Sequence, residues 1–158
     1  MQSGLTDVFA AERVRAIAAE HRGERGPLLP ILHAVQHEFG YVDPLLEPVL
    51  ADALNLSTAE VHGVITFYKD FRREPPGRVT VRICRAEACQ AVGADRVVAH
   101  AEASLGIELG GTTSDGAVTL DEVFCLGNCA LGPAVAVGDR LHGRVGPARF
   151  DALLGDLR

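Results

Sequence analysis

The chain of 158 residues reads as a two-part α+β, or α/β, protein: a helical bundle over residues 1–74, then a small α/β sandwich over 78–158. Three observations predict this. Apolar residues in the first seventy positions recur at helical spacing. The stretch FRREPPGR, residues 71–78, interrupts that pattern with two prolines and a glycine among charges, the composition of a linker. Beyond it the period changes, because VTVRIC alternates β-branched residues with polar ones, as a strand does.

In the first part, Leu5, Val8, Phe9, Val14 and Ile17 recur roughly at helical spacing and predict a first helix. In PLLPILHAVQHEFG, the residues Leu28, Leu29, Ile31, Leu32, Val35 and Phe39 form one broad apolar face. Pro30 falls in the first turn, where a missing N–H does no harm, and Gly40 is a natural C-terminal stop. Asp43 followed by Pro44 is a cap and first-position signal, with Leu45, Leu46, Val49, Leu50, Ala53 and Leu54 behind it. Ser57 to Glu60 fits the S-x-x-E capping box, so a fourth helix starts there and runs through Val61, Val64, Ile65 and Tyr68.

In the second part, VTVRIC is a strand, ACQAVGADRVVAHAEASLG a helix and GAVTLDEVFC a second strand. AVAVGD and RLHGRV form a hairpin around Gly138–Asp139. PARFDALLGDLR closes the chain as a helix with Pro147 near its first turn. The order β-α-β-β-β-α packs helices on a sheet.

Composition narrows the function. Apolar residues make up 47% of the chain, enough for a sizeable core, and aromatics only 5%. The net charge of −6, with Lys69 the single lysine among 15 basic residues, argues against a nucleic-acid binder. The N-terminus lacks a basic start and an unbroken apolar stretch, so no secretory signal is expected. The apolar runs fall far short of the roughly 18 residues of a membrane helix, so no membrane insertion is expected. The expected compartment is the cytoplasm. Disulfides rarely persist there, and paired cysteines lean towards metal or redox chemistry.

All four cysteines lie in two short stretches, CRAEAC at 84–89 and CLGNC at 125–129. Each pair begins where a predicted strand ends, and a helix lies between the strands. A strand–helix–strand unit of this length makes parallel strands with a right-handed crossover, which puts both strand ends on one edge of the sheet. The two loops should therefore be neighbours. Four convergent thiols could hold a structural zinc, but such sites usually use C-x2-C knuckles, and the spacings here are C-x4-C and C-x3-C. A thioredoxin-type dithiol needs C-x-x-C, which is absent. A 2Fe-2S rhomb takes two thiolates on each iron, which suits two separate pairs. Spacing favours the cluster and leaves zinc and thiol chemistry open. Gly127 inside the second pair and Gly93 after the first let backbone N–H groups approach closely. Arg85 is the cation nearest the first pair, and Glu87 opposes it.

CRAEAC…CLGNCALGPAVAV resembles the thioredoxin-like 2Fe-2S subunit of NADH-oxidising complexes. That family includes the small iron–sulfur subunit of complex I, its counterpart in bidirectional NAD-linked hydrogenases, and the γ subunit of soluble NAD-dependent formate dehydrogenases. The thirty-five residues between Cys89 and Cys125 are similar to that family. So are LLPILHAVQHEFGYV and VHGVITFYKDF, and the likeness spans roughly residues 25 to 150. It implies a helical bundle followed by a thioredoxin-like domain. It implies one 2Fe-2S cluster held by Cys84, Cys89, Cys125 and Cys129, and docking on a partner subunit that carries FMN and binds NADH. The protein would then be a non-catalytic electron-transfer subunit. CRAEACQAVGA looks most like the formate dehydrogenase γ subunit. Complex I subunits usually carry small uncharged residues where Arg85 and Glu87 stand, and many relatives have alanine in place of Gly132.

Other features yield weaker readings. His33 and His37 are four apart on one helix, but without a third ligand a structural role is expected. LSTAEVHGVITF could pass for a DNA-recognition helix. Residues 1–75, however, hold 7 basic and 11 acidic side chains, and a phosphate-binding surface would not. Phe67, Tyr68 and Phe71 are candidate interface anchors, although Phe67 and Tyr68 are expected in the bundle core. A free-standing ferredoxin is a further reading; the extra helical domain argues against it.

Overall fold

The computed structural model describes residues 3–155, with side chains described from residue 8 onwards, so the side chain of Leu5 and the terminal residues 156–158 lie outside it. The chain divides into two compact units, Met1–Pro75 and Pro76–Arg158.

The first unit is helical: α1 (Ser3–Glu20), α2 (Leu28–Phe39), α3 (Glu47–Leu54) and α4 (Thr58–Phe67). Its core gathers Val14, Ile17, Ile31, Leu32, Val35, Leu50, Val61 and Ile65, all buried. The stripe of α1 runs through Ala10, Val14, Ile17 and Ala18, at helical spacing. Val8 and Phe9 fall off that stripe and are 59% and 65% exposed. The helix predicted to begin at Pro44 is broken into a 3-10 turn, Pro44–Leu46, and α3. Pro48 has no N–H to donate to the Pro44 carbonyl, so a continuous α ladder cannot form there. Asp43 caps the turn by accepting the Leu45 N–H at 2.9 Å. The capping box at Ser57 is complete: the Ser57 hydroxyl accepts the Glu60 N–H, and the Glu60 carboxylate accepts the Ser57 N–H at 2.8 Å.

The expectation that Phe67 and Tyr68 fill the core is overturned. They are 75% and 41% exposed, whereas Phe71 is buried in the core. The cause lies in Gln36. Its amide donates to the Asp70 carbonyl at 2.6 Å and accepts the Arg72 N–H at 2.7 Å, which pins the chain after α4 and turns Phe71 inward.

The second unit is a four-stranded sheet in the order β2-β1-β3-β4. β1 (Val79–Cys84) and β2 (Val118–Val123) are parallel; β3 (Val135–Val137) and β4 (Arg140–His142) continue antiparallel. Gly138–Asp139 turns the β3–β4 hairpin. The single helix predicted after β1 is two, α5 (Glu87–Ala91) and α6 (Ala94–Leu105). Gly93, at φ +97°, bends the chain between them, a conformation that an L side chain resists. The last helix, α7, runs Pro147–Gly155. Val81, Ile83, Val97, Ala101, Leu120, Val135 and Phe150 form the core. Among the described residues no helix is long and apolar enough to cross a membrane.

Candidate metal centre

Parallel pairing brings the two cysteine loops together. In register, Cys84 at the end of β1 stands beside Val123 at the end of β2. β2 stops two residues short of Cys125, where the sequence predicted its end, because Cys125 adopts φ +101° and leaves the sheet. The loop thereby folds back towards β1. The backbone N–H groups of Ala86, Leu126 and Cys125 lie near enough to the Cys84 thiol to favour its ionised form.

The four thiols form two unlike pairs. Cys84 and Cys89 are each 1% exposed and pack with Ala94 and Ala134. Cys84 ends a core strand, and Cys89 lies on α5. Cys125 and Cys129 are exposed, with their sulfurs 3.8 Å apart. That gap is far beyond a bonded pair, and all four thiols are free. Burial alone would push the Cys84 thiol up, but the three backbone donors and the Cys89 thiol outweigh it and hold it below the ordinary range. The Cys89 thiol is pushed up, first by burial and then by its neighbour Cys84, and that of Cys129 is pushed up by sharing a hydrogen bond with Cys125. Proximity of like thiolates penalises ionisation when nothing positive sits among them.

Gly127, at φ +75°, directs its N–H at the Cys125 sulfur, 3.3 Å away. Arg85 turns from the thiols to carboxylates: its Nη1 lies 2.8 Å from Glu122 and its Nε 3.7 Å from Asp95. Glu122 and Asp95 were not singled out from the sequence. Nor were the N–H donors at Ala86, Leu126 and Ala134, since a backbone group leaves no mark on residue identity. His33 contacts the ring of Phe71 at 4.9 Å.

This donor set fits a 2Fe-2S rhomb. Four thiols in two pairs would supply two thiolates per iron, and the Gly127 N–H already points at the Cys125 sulfur.

The family model for thioredoxin-like 2Fe-2S ferredoxins matches residues 14–158. The chain is 40% identical over 148 residues to a subunit of the NADH-quinone oxidoreductase of Rhizobium meliloti (strain 1021), covering 93% of this chain and 88% of that one. It is 35% identical over 133 residues to the HndA subunit of the NADP-reducing hydrogenase of Solidesulfovibrio fructosivorans, covering 84% and 78%. The crystal structure of an NAD+-reducing NiFe hydrogenase in the H2-reduced state superposes with a TM-score of 0.67 at 25% identity. The match covers 83% of this chain and only 22% of the hydrogenase chain. The chain belongs to the thioredoxin-like 2Fe-2S ferredoxin family, electron-transfer proteins whose cofactor is one 2Fe-2S cluster.

Proposed function

We propose that this chain is the electron-transfer subunit of an NADH-oxidising complex, with its cluster held by Cys84 and Cys89 on one iron and by Cys125 and Cys129 on the other. The observation that carries this reading is the meeting of the two cysteine loops at one edge of the parallel strands, with the Gly127 N–H aimed at the Cys125 sulfur. A 2Fe-2S cluster exchanges single electrons. The chain's own residues hold it, shield its inner side and donate hydrogen bonds to its thiolates. The partner is a subunit that carries FMN and binds NADH, and the chain catalyses nothing by itself. The helical unit docks that partner, and Phe67 and Tyr68 are exposed aromatics suited to the task.

The host complex is a soluble NAD-dependent formate dehydrogenase in the cytoplasm. Arg85 and Glu87 between the first two cysteines support this host, since complex I subunits usually carry small uncharged residues there. Complex I or an NAD-linked hydrogenase is the second reading, supported by the names of the relatives.

Iron and acid-labile sulfide content, with EPR of the dithionite-reduced protein purified without air, tests the cluster. Two irons, two sulfides and one S = 1/2 signal are expected. One zinc without labile sulfide would overturn the electron-transfer reading. Formate-dependent NAD+ reduction by the co-purified complex tests the host, and its absence beside NADH–quinone or hydrogenase activity would exclude formate dehydrogenase.

A further inference from the structure

A concavity lies on the sheet unit, behind the cysteine loops. It encloses about 220 Å³, room for several waters, and Val92, Gly93, Arg96, Gly132, Arg144 and Gly146 line it. Two arginines from separate segments, both exposed, line this small open groove. Among the described residues neither has a carboxylate within ion-pair distance. The nearest acid in sequence, Asp95, is engaged by Arg85 at 3.7 Å. This is an unusual arrangement in a chain of net charge −6. Like charges repel unless a counter-ion joins them.

Both arginines are positioned by local structure. The Arg96 guanidinium lies against Gly93, where a Cβ would stand 2.8 Å from its Nη2. Arg144 sits in the loop after β4. Its N–H donates to the Leu131 carbonyl at 2.6 Å, and the next N–H, of Val145, to Pro133 at 3.0 Å. Among the described residues neither guanidinium has a protein acceptor, so both forks are open to an anion from solvent.

The wall of this cavity is also the wall of the cysteine site. Gly132 lines the cavity, and a Cβ on it would stand 3.3 Å from the Cys89 sulfur. Gly132 therefore adjoins both.

We infer that this cavity binds a small oxyanion, of phosphate or carboxylate type, held by Arg96 and Arg144, and that its occupancy is linked to the charge of the cluster. An anion here would lie near the cysteine site, because Gly132 adjoins both. Reduction adds a negative charge, so the reduced protein binds the anion more weakly. By reciprocity the anion makes the cluster harder to reduce. The linkage rests on the cluster reading above; the site does not.

Calorimetric titration of the full-length cluster-loaded protein with inorganic phosphate, against chloride at matched ionic strength, tests the site. Saturable binding to the oxidised protein is expected, weakened at least tenfold in Arg96→Gln and in Arg144→Gln and lost in the double variant. Visible and far-UV circular dichroism checks that each variant keeps cluster and fold. Heats that only follow ionic strength, or a double variant that binds like the parent, overturn the site and leave the cluster reading untouched. The same titration on dithionite-reduced protein tests the linkage: several-fold weaker binding is expected, and equal affinity overturns it. Competition by acetate separates the sources. Displacement of phosphate by acetate marks a carboxylate, the side-chain chemistry of a partner protein, as the occupant. Displacement only by other phosphates marks a free phosphate-type ion.

Discussion

The two cysteine loops, proposed above as ligands of one cluster, have opposite means of support. The first pair is built into the core: Cys84 terminates a strand whose Val81 and Ile83 are fully buried, and Cys89 is covered by Ala94 and Ala134. The second pair is built on backbone conformation. Cys125 and Gly127 both take positive φ, the Cys125 and Cys129 side chains are exposed, and Phe124 beside them is 67% exposed. A strand end is held by every contact of the sheet behind it. A loop is held by a few hydrogen bonds, so it is the side that opens to solvent and to partners.

The largest expected effect breaks the contrast. Cys84→Ser and Cys125→Ser should both lose the cluster, because each iron needs two thiolates whatever supports them. Visible absorption reads this, and parent-like absorption in both variants would end the ligand assignment. The next effect restores the contrast. In the cluster-free protein, iodoacetamide should label Cys125 and Cys129 roughly tenfold faster than Cys84 and Cys89. The Cys84 thiol ionises more readily than an ordinary one, but access outweighs ionisation for a group only 1% exposed. Peptide mass spectrometry against time measures the rates, and equal labelling would mean that the inner pair is not held by the core.

Stability should divide in the same way. Ile83→Ala, beneath the first pair, should cost about 2–5 kcal/mol in denaturant unfolding. Phe124→Ala, beside the second, should stay within about 0.5 kcal/mol. A large loss at Phe124 would mean that the outer loop packs more firmly than its exposure indicates. A further effect sharpens the account of the outer loop. Gly127→Ala should cost about 1–2 kcal/mol, because the left-handed conformation strains any Cβ. It should also speed loss of the cluster to a chelator, and an unchanged rate would show that the turn at Gly127 does not limit release.

The legibility of the molecule follows the range of its interactions. The capping box at Ser57, the stop at Gly40 and the hairpin at Gly138–Asp139 were readable because each depends on a few neighbouring residues. The meeting of the cysteine loops was readable too, since parallel strands have only one way to place their ends. Errors arose where distant contacts decide. Phe71 resembles Phe67 in sequence, yet Gln36 on α2 turns one inward and leaves the other exposed. Periodicity placed Val8 and Phe9 on the stripe of α1, but the stripe that finds partners passes through Ala10. The break at Gly93 falls inside the stretch read as one helix, and the Gly93 N–H, expected to approach the cysteine site, donates to the Gln90 carbonyl at 3.0 Å.

The sequence by itself determined the two-part organisation, the strand–helix–strand framework around the cysteines and the chemical type of the donor set. These rest on local propensity, on period and on residue identity, which a linear chain displays. The tertiary structure decided the rest. It made one pair of thiols buried and the other exposed, gave the Arg85 charge to Glu122 and Asp95, and gathered Arg96 and Arg144 around one cavity. Burial and charge pairing depend on which distant segments the fold brings within a few ångströms, and no local pattern encodes that distance.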